Sequence, residues 1–247
     1  MRFVAILAAL AAALAVSPAL AQGGGPPQKV PAEPLRGVAA DPVVAKPLPA
    51  VVPADPENTW VLDLSSGGRV LIRLRPDAAP LMVERIKTLT RRKFYNGVTF
   101  HRVLDDPYPI AQGGDPTGTG TGDSDLPDVP AEFNSLPHLR GTVSAARQGA
   151  PEGASPELVK AAENSANSQF YVMLRPLLVF DHNYTVFGRV ISGMEWVDLI
   201  QRGEPPANPT RILQAYILSD NPPPYQAPAA AAARALPEGE TKATLVP

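Results

Sequence analysis

The chain has 247 residues, no cysteine and a formal net charge of −2, with 45% hydrophobic and 19% charged residues. This balance argues against a nucleic-acid partner, which would favour a basic patch, and the lack of cysteine excludes disulfide bonds as a source of stability. A hydrophobic core must therefore stabilise the folded part, and a domain of roughly 160 residues is large enough to provide one.

The first 21 residues are typical of a secretory signal peptide. Arg2 precedes an apolar run of Ala and Leu that ends near Val16, and residues 17–21 offer a cleavage site with small side chains. The run is shorter than the about 20 apolar residues that a membrane-spanning helix needs. We therefore predict cleavage after about Ala21, no stable membrane insertion afterwards, and a periplasmic or secreted mature protein.

Prolines are concentrated near both ends of the chain. Residues 22–57 and 220–247 mix Pro, Ala and Gly without a sustained hydrophobic period, as disordered linkers and tails do. The folded domain is therefore predicted over residues 58–219.

The domain is predicted to begin with a hairpin, in which strand-like runs over 60–64 and 69–74 flank a Ser/Gly turn. Apolar residues at helical spacing then predict a helix over 78–90, with Pro80 in its first turn. Further strands are predicted over 98–104, 110–112, 129–133, 142–146, 169–174, 184–190 and 210–218, and further helices over 156–163 and 194–201. Many short strands with few helices indicate an antiparallel barrel or a sandwich, and periodicity alone does not choose between them.

Four segments, in this order, resemble the cyclophilin family of peptidyl-prolyl cis/trans isomerases: 94–103 (FYNGVTFHRV), 112–120 (QGGDPTGTG), 167–171 (NSQFY) and 184–190 (YTVFGRV). The resemblance runs across residues 58–219. It implies a mainly β fold, a closed eight-stranded antiparallel β-barrel capped by two α-helices. It also implies a proline-binding groove on the outer surface, no metal and no organic cofactor.

The same resemblance implies the residues of the site. Arg102 takes the position of the catalytic arginine, and Gln112 that of a glutamine acting beside it. Substrate-binding positions are implied for Phe100, Tyr108, Ile110, Ala146, Arg147, Gln169, Tyr171, Phe180 and Tyr184. The stretch between Arg102 and Gln112 is longer than is usual in the family, so Tyr108 and Pro109 both remain candidates for the place of the usual pocket aromatic.

Arginine suits this chemistry. Rotation about an X-Pro bond is slow because the nitrogen lone pair is delocalised into the carbonyl group. In the twisted transition state the nitrogen regains its lone pair, and a permanently protonated guanidinium aimed at it would stabilise that state selectively. No proton is transferred, so His101 beside Arg102 is interpreted as a packed or hydrogen-bonded barrel residue rather than a general base.

Other patterns are weaker. The glycines between 118 and 122 lack the Gly-Lys-Ser/Thr of a phosphate loop, and they are interpreted as a loop at the groove edge. The three histidines lack metal-ligand spacing, and no nucleophile motif of a hydrolase is present.

We predict a monomeric isomerase of proline-containing, unfolded or flexible exported polypeptides. The alternative is a chaperone or scaffold module that binds proline-containing segments with weak or no turnover. The stretch 148–164 is longer than in compact family members, and we hypothesise that it restricts which polypeptides enter the groove.

Overall fold

The computed structural model describes residues 55–228. The predicted signal peptide, most of the predicted linker and most of the predicted tail lie outside this range. Within it, no helix has the length and hydrophobicity to cross a membrane. The strands are β1 (Thr59–Leu64), β2 (Arg69–Leu74), β3 (Phe100–Leu104), β4 (Ile110–Gly113), β5 (Thr142–Ala145), β6 (Phe170–Met173), β7 (Val186–Ser192) and β8 (Ile212–Ile217), and the α-helices are α1 (Pro80–Arg91), α2 (Pro156–Glu163) and α3 (Met194–Asp198).

The eight strands form one antiparallel sheet in the order β3-β4-β6-β5-β7-β2-β1-β8. The sheet curls until its edge strands meet, where Thr99 and Arg211 form an isolated antiparallel bridge. The Phe100 amide also donates to the Thr210 carbonyl oxygen at 2.9 Å across this seam. The eight-stranded antiparallel architecture is confirmed, and its closure consists of a short bridge rather than a full ladder of hydrogen bonds.

The main hydrophobic core lies inside the curled sheet. Along β2, buried and half-buried residues alternate, as expected for a strand with one face towards the core. The Trp60 ring packs edge-on against Tyr95 and Phe170, with centroid distances of 5.2 and 4.9 Å. Helix α1 covers this core with buried Met82, Val83, Ile86 and Leu89.

A carboxylate from a distant segment caps helix α1. Ala79 provides no side-chain cap, and the Glu132 carboxylate instead accepts hydrogen bonds from the amides of Leu81 and Met82, both at 2.9 Å. An anion at this end satisfies free amides and interacts favourably with the helix dipole.

The strand predicted over 129–133 is therefore wrong. Pro130 has no amide hydrogen to donate to a ladder, and Val129 makes only an isolated bridge with Ala166. The segment instead presents Glu132 to helix α1.

The helix predicted over 156–163 is confirmed as α2. Ser155 accepts a hydrogen bond from the Leu158 amide at 3.4 Å, and Pro156 occupies the first helical position. The last predicted helix is present but shorter, since α3 ends at Asp198.

The packed domain extends slightly past its predicted bounds. Glu57, assigned to the linker, forms ion pairs with Lys87 at 3.4 Å and Arg91 at 3.1 Å. Tyr225, assigned to the disordered tail, donates its hydroxyl to the Leu64 carbonyl oxygen at 2.9 Å. These two flanking segments therefore belong to the folded unit.

Candidate functional site

A row of side chains crosses neighbouring strands on the outer face of the sheet. Arg102 on β3 lies opposite Gln112 on β4, and Gln112 lies opposite Tyr171 on β6. Tyr171 in turn lies opposite Ser144 on β5. Directly opposite residues of antiparallel strands project from the same face. Arg102 and Gln112 therefore lie side by side with Tyr171, one of the predicted substrate-binding residues.

A register shift in β3 makes this placement possible. Phe100 pairs with Gly113 and Arg102 with Gln112, so two residues of β3 advance while β4 advances by one. Regular alternation would put Phe100 and Arg102 on the same face. The shift instead turns Phe100 into the core, where its ring is 1% exposed and lies 6.0 Å from the Phe170 ring. The prediction of Phe100 as a substrate-binding residue is corrected accordingly.

A second hydrophobic cluster, separate from the main core, surrounds Tyr171. We call it the outer cluster; it consists of buried Ile110, Tyr171 and Met173 with partly buried Ala146, Leu177, Phe180 and Tyr184 packed against them. Phe180 comes from a 3-10 turn, and its ring centroid lies 4.8 Å from that of Tyr184. The cluster forms an apolar floor and wall beside the row.

Tyr108, rather than Pro109, faces the outer cluster. Its ring stacks on Phe180 at 5.7 Å, with 27° between the ring planes, and the Arg102 guanidinium carbon lies 5.7 Å from its ring centroid. Pro109 is buried, and its carbonyl oxygen accepts a hydrogen bond from the Leu174 amide at 2.8 Å. Of the two candidate residues, Tyr108 is therefore the one whose side chain lies beside the outer cluster.

The Arg102 side chain is partly exposed and paired with an acid. Its Nε lies 2.9 Å from Glu204 Oε1. The two groups form an ion pair, but the Nε–H bond makes no hydrogen bond to this oxygen. Glu204 lies between α3 and β8, and sequence reasoning missed it because nothing in the local pattern links it to β3.

A polar pocket of about 240 Å³ adjoins the row, and it is lined by Gln112, Gln169, Ala146 and Arg147 together with the loop around Gly120. Gln112 Nε2 donates to Gln169 Oε1 at 3.0 Å. Gln169 Nε2 donates to the carbonyl oxygens of Gly120 and Gly122 at 3.1 and 2.9 Å. Both predicted glutamines therefore line one pocket, oriented by a shared chain of hydrogen bonds.

A buried aspartate ties down the glycine-containing loop at the pocket edge. The Asp115 carboxylate accepts from the amides of Thr117 and Gly120 at 2.7 and 2.6 Å. Burial raises the pKa of Asp115, but the hydrogen bonds from Thr117, Gly122 and Gly120 together outweigh it and lower this pKa to about 2. The loop is thus tied to the barrel by an anion.

A buried histidine holds Tyr171 from beneath. His138 Nδ1 lies 2.9 Å from Asp181 Oδ1, and its Nε2 lies 3.2 Å from the Tyr171 hydroxyl and 3.1 Å from Ser144 Oγ. Burial lowers the pKa of His138, despite the opposing effect of Asp181, and favours the neutral ring. Because a carboxylate only accepts, Nδ1 donates to Asp181. This leaves Nε2 with one lone pair, which accepts a hydrogen bond from one of the two hydroxyls. Sequence reasoning considered His138 only as a metal ligand and missed this role.

Arg147 and Tyr184 form the rim between the polar pocket and the outer cluster. The Arg147 guanidinium carbon lies 4.8 Å from the Tyr184 ring centroid, within the range of a cation–π contact. Arg147 Nε also donates to the Asn183 carbonyl oxygen at 3.2 Å. Of the predicted site residues, only Phe100 lies away from the surface formed by the row, the outer cluster and the polar pocket.

Comparison with known proteins gives a consistent result. The family described as cyclophilin type peptidyl-prolyl cis-trans isomerase/CLD matches residues 61–217. A probable peptidyl-prolyl cis-trans isomerase of Brucella suis is 43% identical over 183 residues, which cover 68% of this chain and 86% of the relative. Peptidyl-prolyl cis-trans isomerase B of Bacillus subtilis is 32% identical over 141 residues, which cover 57% of this chain and 89% of the relative.

Solved structures share the fold. A cyclophilin from Hirschia baltica superimposes with a TM-score of 0.58 at 26% identity, covering 68% of this chain and 77% of the other. A cyclophilin type isomerase of Cryptosporidium parvum, crystallised in the presence of the dipeptide Ala-Pro, gives a TM-score of 0.54 at 23% identity, covering 64% of this chain and 98% of the other. At that identity, the second likeness bears on the fold alone.

Proposed function

The chain belongs to the cyclophilin-type peptidyl-prolyl cis-trans isomerases, and on this premise we propose that Arg102 is its catalytic residue and that the outer cluster binds the prolyl ring. One observation carries the proposal. The register of β3, β4 and β6 brings Arg102, Gln112 and Tyr171 onto one face, beside the only cluster of apolar side chains that packs outside the core in the described part of the chain.

The prolyl ring of the substrate would rest on Tyr171 and Ile110, with Phe180 and Tyr108 at its sides. Such a seat places the prolyl nitrogen near the guanidinium of Arg102, which lies beside the Tyr108 ring. As the bond twists, the nitrogen gains a lone pair that the guanidinium hydrogen-bonds, and the planar ground states do not offer this acceptor. A charged donor worth about 3 kcal/mol in such a site would accelerate rotation by about a hundredfold.

The polar pocket would hold the polypeptide backbone next to the proline. Gln112 borders both the row and this pocket, so it can bind a backbone group while the ring occupies the outer cluster. Fixing the chain on one side of the bond lets the other side rotate against it, and positioning of this kind supplies the remaining acceleration.

The proposed substrates are proline-containing segments of unfolded or flexible exported polypeptides, in which slow X-Pro rotation limits folding. Export, to the periplasm or out of the cell, is supported by the N-terminal apolar run and the small residues that follow it. We propose that the protein acts there as a monomer.

The test is cis/trans exchange in an Ala-Pro-Phe tetrapeptide, measured by exchange NMR with the wild-type chain, Arg102→Ala and Arg102→Lys. We expect kcat/KM to fall about a hundredfold in Arg102→Ala. Arg102→Lys should keep only part of the wild-type kcat/KM, because an ammonium group lacks the planar arrangement of donors that a guanidinium has. Arg92→Gln removes the same charge from an exposed residue just after helix α1 that lines neither the polar pocket nor the outer cluster, so it is the matched control and should leave the rate unchanged.

Wild-type activity that persists in Arg102→Ala would refute the assignment of the catalytic residue. Tight peptide binding without acceleration by the wild-type chain would instead support the alternative of a binding module with weak or no turnover. The family membership favours the isomerase.

A further inference from the structure

A second pocket, of about 170 Å³, lies on the outer face of the sheet over β2, β5 and β7. It shares no lining residue with the polar pocket or the outer cluster. Three arginines line it, Arg73, Arg75 and Arg189. We call it the arginine pocket.

Two of these arginines face each other across the sheet. Arg73 on β2 lies directly opposite Arg189 on β7. Like charges at such positions destabilise a sheet. Within residues 55–228 neither guanidinium has a carboxylate within ion-pair distance, whereas Arg75 is bound by both oxygens of Asp77 at 2.8 and 2.6 Å. The pocket therefore keeps two positive charges without a counter-charge from the described protein.

Arg73 also lacks a hydrogen-bond acceptor. Its Nε is buried and has no partner among the described residues. Thr142, which pairs with Arg189 in the register, makes no hydrogen bond to Arg73, because its hydroxyl donates to the Pro137 carbonyl oxygen at 2.9 Å and accepts from the Leu139 amide at 3.2 Å. A buried donor without an acceptor costs about 1–3 kcal/mol, so an incoming acceptor would be bound favourably.

Most of the remaining lining of the arginine pocket is apolar. It consists of Leu136, Pro137, Val186 and Ile191, together with Thr142 and Gly188. A small inorganic anion would leave these walls in contact with water. An organic anion with an aliphatic neighbour would bury them while its charge meets the guanidinium groups.

We propose that the arginine pocket binds a carboxylate carried by an aliphatic peptide segment. The planar guanidinium groups match a carboxylate in geometry, and the apolar walls match the adjoining side chain. The carboxylate is supplied by a chain terminus or by an acidic side chain. The pocket is a binding site separate from the proline groove, so its test does not depend on the role of Arg102.

The experiment is an NMR titration of the isotope-labelled full chain with proline-free peptides. The probes are Ac-Ala-Ala-Ala-Leu with a free C-terminal carboxylate, the same peptide as its amide, Ac-Ala-Leu-Glu-Ala amide, and inorganic phosphate. We expect the carboxylate peptides to shift amides of β2 and β7, and the neutral amide peptide to shift none. The difference between the first and third probes identifies the source of the carboxylate.

The variant is Arg189→Gln, with Arg92→Gln as the control of equal charge change. Loss of a charge-assisted hydrogen bond should weaken binding at least about tenfold in Arg189→Gln and leave it unchanged in the control. Isomerisation of the Ala-Pro-Phe tetrapeptide should be unchanged in both. Arg73→Gln, which leaves Arg189 in place, should weaken binding as well.

Three outcomes would overturn the proposal. The neutral peptide could bind as tightly as the carboxylate peptides, phosphate could bind more tightly than either of them, or Arg189→Gln could retain full affinity. Thermal unfolding of Arg189→Gln completes the test, because relief of like-charge repulsion should leave its melting temperature equal to or above that of the wild-type chain.

Discussion

The candidate site depends on individual contacts between residues that are far apart in the chain. Gln112 is oriented by Gln169, and the Tyr171 hydroxyl is held by His138. Arg102 is paired with Glu204, whose side chain is 55% exposed. An exposed pair of this kind contributes little to stability, so its main effect is on where the guanidinium points.

Neutralising Glu204 should therefore change catalysis more than stability. We expect Glu204→Gln to lower kcat/KM by no more than about fivefold, since such a pair is worth up to about 1 kcal/mol. The reason is that the Arg102 guanidinium loses the carboxylate beside its Nε and samples positions away from the prolyl nitrogen.

Glu195→Gln, an equal charge change on α3, is the control and should be indistinguishable from the wild-type chain. Exchange rates of the tetrapeptide and the urea midpoint of each variant would be measured together. Faster isomerisation in Glu204→Gln would show that the carboxylate restrains Arg102 instead of positioning it.

Most of the residues that the structure gathers at the candidate site could be named from the sequence, because the short strings around Arg102, Gln112 and Tyr171 resemble the family. Phe100 was misplaced because a register shift cannot be read from the alternation of apolar residues. Glu204 and His138 could not be found, since contacts between distant segments leave no local pattern.

Among the elements, helix α2 and the stretch that carries it stand out at the edge of the polar pocket. The Gln148 amide donates to Ser165 Oγ at 2.8 Å, which closes the base of this stretch, and both residues line the polar pocket. Only Ala162 of α2 is buried, whereas Leu158 and Val159 are exposed. The helix therefore contributes little to the core and is free to contact a polypeptide at the pocket.

Removal of this stretch should change substrate preference without unfolding the domain. We expect replacement of residues 149–163 by a short Gly/Ser linker to leave the tetrapeptide rate within about twofold, because long surface insertions contribute little to stability. A second substrate is an unfolded protein whose refolding is limited by proline isomerisation. The deletion should change the rate at which the enzyme accelerates this refolding by more than it changes the tetrapeptide rate.

The matched control is a chain with Leu158→Ser and Val159→Ser, which keeps the helix and removes its exposed apolar side chains. For each chain, the rate of protein refolding is divided by the rate of tetrapeptide isomerisation. If this ratio is the same in the wild-type chain, the deletion and the control, the hypothesis that this stretch selects substrates is refuted.

Elements whose ends are marked by capping residues could be predicted from the sequence. Helix α2 is an example, because Ser155 caps it and Pro156 occupies its first position. The strand predicted over 129–133 failed because Pro130 has no amide hydrogen to continue a ladder beyond the single bridge of Val129, and Glu132 caps α1 instead. Which strands pair in the curled sheet depends on contacts between distant segments, so apart from the first hairpin it was not predicted, and the eight-stranded barrel came from the family resemblance.

For the molecule as a whole, two buried histidines link stability to pH. Burial lowers the pKa of His101, an effect that nearby Arg102 reinforces and Asp115 opposes, and neither ring nitrogen has a hydrogen-bond partner among the described residues. Burial also lowers the pKa of His138. Both rings stay neutral in the folded chain at a pH where the unfolded chain binds protons.

Stability should therefore fall as the pH is lowered below the unfolded value of 6.5, and the fall should end below the folded pKa values. In this window each histidine lowers the free energy of unfolding by up to about 1.4 kcal/mol per pH unit. The carboxyl groups of Glu57 and Asp115, with pKa values of about 2, act only at lower pH.

Urea unfolding between pH 7.5 and 5 measures this slope. His101→Gln should make the slope shallower, and His182→Gln, a change of an exposed histidine, should leave it unchanged. A wild-type slope of zero across the window would contradict the neutral state of both buried rings.

The extra residue in β3 has a consequence for how this protein can vary. A strand of the same length that paired regularly would turn Phe100 and Arg102 to the same side of the sheet. Either the aromatic ring would then lie in water or the guanidinium would lie in the barrel interior. Substitutions that favour regular pairing at this point should therefore be tolerated less well than substitutions elsewhere along the strand, even though they leave Arg102 itself unchanged.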